Sequence, residues 1–160
     1  AMFLHGDGTP GGTLLHMAVN LFSLFQLGSL YEIMFGTRRL TLVYFVTGIA
    51  ASFTSFMRLP PFHSSVGASG AIFGVMGAFI FSVWRSPVWR HDRSARGIVK
   101  QCIFWMFANI LIASQFPQID NAAHIGGLVS GMLLGAILPH AAPPPPPPAQ
   151  VVIDVAPHEE

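Results

Sequence analysis

The stretch VGASGAIFGVMGAFIFSVW at 66–84 contains no Asp, Glu, Lys or Arg, and the charge-free run around it extends from 59 to 84. An apolar helix crosses the hydrocarbon layer in about 20 residues at 1.5 Å each, so this run can hold one crossing. Outward from it, charge-free runs recur at 8–31, 40–57, 101–119 and 121–153. A lipid-exposed segment must satisfy its own backbone hydrogen bonds, which favours helices over open strands. These segments are apolar nearly all round, so length and lack of charge decide the assignment, not periodicity. The sequence predicts helices at about 13–35, 40–57, 67–85, 98–114 and 122–138. The expected fold class is an all-α polytopic membrane bundle of five transmembrane helices.

Composition agrees. Of 160 residues, 52% are hydrophobic and 9% charged, where a soluble domain carries about 25% charged residues. The net charge of +1 does not mark a nucleic-acid binder, because the basic residues are not gathered on a soluble face. The single Cys102 excludes an internal disulfide and, inside an apolar run, reads as a small buried hydrophobe. The polar, glycine-rich start (Gly6, Asp7, Gly8, Gly11, Gly12) does not have the form of a cleavable signal peptide.

The basic residues orient the bundle. Arg38, Arg39, Arg85, Arg90, Arg93, Arg96 and Lys100 fall on one side of the five crossings, and only Arg58 on the other. Lys and Arg concentrate in cytoplasmic loops, so the first side is expected to be cytoplasmic, together with the tail. The N-terminal segment then lies outside, and an odd number of crossings is explained by a missing preceding helix. Two parts are expected: a helical core at 1–139 and a Pro-rich tail at 140–160. The tail carries Pro143 to Pro148 and reads as a disordered cytoplasmic spacer.

Three polar clusters interrupt the apolar helices, where polar groups are costly. They are His16-Met17-Ala18-Val19-Asn20, Gly67-Ala68-Ser69-Gly70 and Ala122-Ala123-His124-Ile125-Gly126-Gly127. Taken singly, Ser69 could bond its own backbone, His124 could sit at the interface, and His16 with Asn20, on one helix face, could join two helices. Topology changes the weighing. All three clusters lie in the first turns from the same, outer surface, which is the arrangement that acyl transfer requires of a nucleophile, a base and stabilising donors. Small residues at packing spacing (Gly70, Gly74 and Gly77 on one helix; Gly127, Gly131 and Gly135 on another) allow close backbone approach in lipid. That approach brings Ser69 Oγ within reach of His124.

The chain resembles the rhomboid intramembrane proteases in FLHG at 3–6, HMAVN at 16–20, YEIMFGTRRL at 31–40, GASGAIFGVMGAF at 67–79 and AHIGGLVSGMLLG at 123–135. The resemblance implies Ser69 as nucleophile and His124 as general base. It implies His16 and Asn20 as oxyanion donors, with backbone N–H groups around Ser69, at Gly67 and Ser69. It also implies cleavage of single-pass membrane proteins in or near their transmembrane segments, with the lipid bilayer as the other partner. The family core has six helices; the one before the first external loop, and the Trp-Arg motif of that loop, are missing here. A Gly-rich insert separates His5 from His16, and the spacing to Asn20 selects His16.

The expected function is therefore that of an intramembrane serine endopeptidase with a Ser–His dyad, without metal or other cofactor and without nucleic acid. The expected setting is a bacterial inner membrane, the active site facing the non-cytoplasmic side. Asp120, four residues before His124, reads as a solvated loop residue, and His63 and His91 as surface residues. One rival is an inactive rhomboid-like binder of membrane proteins, against which the presence of all four polar site residues argues. Another is a small channel or transporter, which would need charges or a broken helix near mid-membrane.

Overall fold

The computed structural model describes residues 10–58, 68–115 and 119–139, with side chains from Leu14 onward. Gly67, His63 and the tail at 140–160 lie outside the described residues. Among the described residues, five helices form the bundle: α1 Pro10–Phe35, α2 Thr37–Arg58, α3 Ser69–Arg85, α4 Arg93–Ala113 and α5 Asn121–Ile137, with a single 3-10 turn at Trp89–His91. The described residues contain no strand, and the bundle is the expected all-α one. α1, α2 and α4 are each long and apolar enough to cross a membrane.

Local chemistry explains the ends. Pro10 opens α1 at the position where its missing N–H costs nothing. α1 turns into α2 through Gly36 alone, whose φ of 90° lies in the left-handed region that glycine adopts without penalty. The Gly36 N–H donates to Glu32 O at 2.7 Å, and Thr37 Oγ1 donates to Glu32 Oε1 at 2.6 Å. α4 begins at Arg93, five residues before the expected 98. The cause is Asp92, whose Oδ1 accepts from Ala95 N at 2.7 Å and caps the helix. Arg93, Arg96 and Lys100 thus belong to the first turns of α4.

α3 is the centre of the bundle and touches each of the other four helices. It packs on α5 backbone to backbone. A methyl group added at Gly127 would land on the Gly70 carbonyl oxygen, and one at Gly131 on that of Gly74. At Gly135 it would lie 2.6 Å from Ala78 O. α2 closes the groove between them with a stripe of small residues every fourth position, Val43, Thr47, Ala51 and Ser55, all buried. The Thr47 side chain occupies the space above Gly74, and Thr54 that above Gly126. Thr47 Oγ1 also donates to Val43 O at 2.7 Å.

A larger apolar cluster forms at one end of the bundle. Tyr31, Met34 and Phe35 of α1 meet Phe79 and Val83 of α3, Ala95 and Cys102 of α4, and Leu134 and Leu138 from the end of α5. The chain therefore crosses in alternating directions: the C-terminal ends of α1, α3 and α5 share one end with the start of α4. The opposite end collects the starts of α3 and α5. Large apolar side chains such as Phe22, Phe25, Phe104, Trp105 and Leu111 remain exposed on α1 and α4. In water that much exposed apolar surface would be a liability; in lipid it is the expected exterior.

Candidate active site

Ser69 is the first residue of α3 and His124 lies in the first turn of α5. The glycine contact between the two helices holds these turns together. His124 Nε2 and Ser69 Oγ are 2.9 Å apart, a hydrogen-bond distance. His124 is only 7% exposed, so water does not compete freely for this contact.

The imidazole is fixed from behind. Phe73, one turn after Ser69 on the same face of α3, stacks on the His124 ring with centroids 4.4 Å apart and planes 7° from parallel. Phe73 packs in turn among Met106 of α4 and Leu128 of α5. Phe73 is not marked by any polar motif; its i+4 spacing from Ser69 is the signal for it in the sequence.

The three helix starts differ in how they are capped. Asp92 caps α4 and Asp120 caps α5 through side-chain oxygens. At α3 the N-cap residue is Ala68, which supplies no side-chain cap. The first N–H groups of a helix have no partner within it, and the peptide dipoles add positive potential there. The start of α3 therefore presents backbone N–H groups and positive potential beside Ser69 Oγ.

His16 approaches from α1. It is half-buried and acts electrostatically on His124, as Asp120 does from the α5 cap. Asn20 is half-buried one turn further along the same helix. The structure thus brings Ser69 and His124 into contact with His16 near enough to act on the imidazole, while Asn20 lies one turn from His16 on α1. Gly67 falls outside the described residues. Asp120 is not the solvated loop residue that was expected. Its Oδ1 accepts from Ala123 N at 3.0 Å and its Oδ2 is buried. His91 is exposed, its Nε2 accepting from Arg90 Nε at 2.8 Å.

A serine hydroxyl hydrogen-bonded to an imidazole at a helix N-terminus has the geometry of acyl-transfer sites. Comparison with known proteins identifies the family. A family model described as Rhomboid domain matches residues 1–141. RHOMBOID-like protein 6, mitochondrial, of Arabidopsis thaliana is 35% identical over 138 residues, covering 86% of this chain and 42% of that protein. Rhomboid protease GluP of Bacillus subtilis is 34% identical over 125 residues, covering 78% of this chain and 24% of that protein. RHOMBOID-like protein 2 of Arabidopsis thaliana is 34% identical over 137 residues, with 86% and 40% covered. The chain spans less than half the length of these three relatives. Alternating membrane helices, a shared end with serine and histidine in contact, and a matching domain along nearly the whole core lead to one conclusion: this chain belongs to the rhomboid family of polytopic membrane proteins.

Proposed function

We propose that this chain is the core of an active intramembrane serine endopeptidase that cuts transmembrane segments of single-pass proteins. The observation that carries the reading is the 2.9 Å contact between Ser69 Oγ and His124 Nε2. His124 Nε2 takes the Ser69 proton as Oγ bonds to the scissile carbonyl carbon. The resulting oxyanion is held by N–H groups at the start of α3, with His16 and Asn20 as side-chain donors. Collapse breaks the C–N bond, and His124 returns the proton to the leaving amine. Water then adds to the acyl-enzyme by the same route in reverse.

The short central helices support a site within the membrane's thickness. α3 and α5 have 17 residues each, roughly 25 Å at 1.5 Å per residue against about 30 Å of hydrocarbon. The seven basic residues cluster at the opposite end, which by the positive-inside tendency turns Ser69 and His124 away from the cytoplasm. The Bacillus relative supports a bacterial cell membrane as the setting.

A fluorophosphonate probe tests the reading directly. Wild-type protein should label and Ser69→Ala should not, and His124→Ala should label far more slowly. A wild type that resists the probe while still retaining membrane-protein partners would instead favour the inactive binder.

A further inference from the structure

Asp120 stands outside the dyad, yet its placement is specific. It is the N-cap of α5. Its Oδ1 accepts from Ala123 N at 3.0 Å, and its carbonyl oxygen accepts from His124 N at 3.3 Å. The same residue thus fixes the backbone of the turn that carries the imidazole. Its other carboxylate oxygen, Oδ2, is buried and does not spend its charge on bulk solvent.

That charge has a task in the proposed reaction. When His124 takes the Ser69 proton it becomes a cation, and it does so in a position that opposes one. His124 is buried, which deprives a cation of water. It also sits in the first turn of a helix, where the peptide dipoles are positive. Among the described residues, the charged or titratable groups that act on it electrostatically are Asp120, on its own helix, and His16, from α1. His16 carries no negative charge in any protonation state. Asp120 is the anion of the pair.

We propose that Asp120 is a positioning residue for His124: its cap sets the first turn of α5 so that the imidazole faces Ser69, and its carboxylate stabilises the imidazolium during acyl transfer. This role rests on the protease reading above. Asp120 receives no proton in this scheme; the proton moves from Ser69 Oγ to His124 Nε2 and on to the leaving amine.

The test separates capping from charge. Asn and Ser cap helices about as well as Asp but are neutral. In the full chain reconstituted in lipid with a transmembrane substrate, Asp120→Asn and Asp120→Ser should lower kcat by roughly tenfold, the size expected of one partly screened charge a turn away. KM and the thermal midpoint should not change, and the rate of fluorophosphonate labelling at Ser69 should fall by the same factor. Asp120→Glu, which keeps the anion, should retain most of the rate. Wild-type rates in both neutral variants, or a Glu variant as slow as the Asn one, would overturn the electrostatic role while leaving the dyad standing. Failure of wild type itself to label would remove the protease reading, and this role with it, without any Asp120 variant being needed.

Discussion

Phe73 lies flat against His124, the two rings 4.4 Å apart at their centroids and 7° from parallel. The contact limits rotation of the imidazole about its own side chain and so keeps Nε2 on Ser69 Oγ. A branched aliphatic side chain fills part of the same space without offering a flat face. Phe73→Leu should therefore lower kcat by about tenfold, because misaligning a reacting pair by a fraction of an ångström is costly. KM should hardly move. Phe73→Tyr keeps the ring and should stay near wild type. Steady-state cleavage of a transmembrane peptide measures both. A Leu variant with unchanged kcat would show that Ser69 and His124 need no help from the ring.

The dyad depends equally on the α3–α5 seam. Gly127 faces the Gly70 carbonyl and Gly131 faces that of Gly74, with no room for a methyl group at either place. The obstacle is backbone, which cannot swing aside as a side chain does. Gly127→Ala should cost more than about 2 kcal/mol, toward the upper end of overpacking penalties, and should part Ser69 from His124. Gly97 on α4 meets nothing within 4 Å of an added Cβ, so Gly97→Ala should be neutral or slightly stabilising. Thermal unfolding in detergent, read beside probe labelling, compares the two. Equal midpoints for both variants would mean the seam is looser than its glycines imply.

The seam was legible in the sequence because glycine spacing in an apolar helix states directly where backbones meet. Gly127, Gly131 and Gly135 found Gly70, Gly74 and Ala78 as partners. The five helices were legible for a similar reason, since the length of a charge-free run is itself the physical requirement. Other features were hidden. α4 starts at Arg93, because charges in a first turn do not end a helix, and the Asp92 cap decides where it starts. The buried stripe of Val43, Thr47, Ala51 and Ser55 on α2 was obscured because every face of that helix is apolar enough for lipid. Phe73 was hidden likewise: among many aromatics, only three-dimensional packing singles out the one on the imidazole. Asp120 was misread because four-residue spacing alone does not distinguish a loop acid from a cap.

The one-residue link between α1 and α2 bears on folding and not on chemistry. Gly36 has φ of 90°, and an added Cβ there would meet nothing within 4 Å. The penalty for replacing it is therefore conformational and not steric crowding. Gly36→Ala should destabilise by about 1–2 kcal/mol, and Gly36→Asn, which tolerates the left-handed region better, by less. Specific activity of the folded fraction should be unchanged, since the link lies at the end of the bundle away from Ser69. A variant that unfolds no earlier than wild type would indicate that the link relaxes to an ordinary helical turn.

The proposed oxyanion has donors from two helices. Ala68, the N-cap of α3, supplies no side-chain cap; in the proposed reaction the α3 amides stabilise the developing negative charge, and two side chains on α1 share the task. If they do, their loss should be felt in the transition state and not in substrate binding. His16→Ala and Asn20→Ala should each lower kcat by about 10²-fold, in the range found for removal of a single oxyanion donor, with little change in KM. Labelling by a fluorophosphonate should slow but persist, because Ser69 and His124 still touch; Ser69→Ala should abolish it altogether. The double variant should fall short of the product of the single losses, since both donors would serve one oxygen and the α3 amides remain. Full wild-type kcat in both single variants would leave the backbone of α3 as the whole of the oxyanion site, and would return His16 and Asn20 to the role of joining α1 to its neighbours.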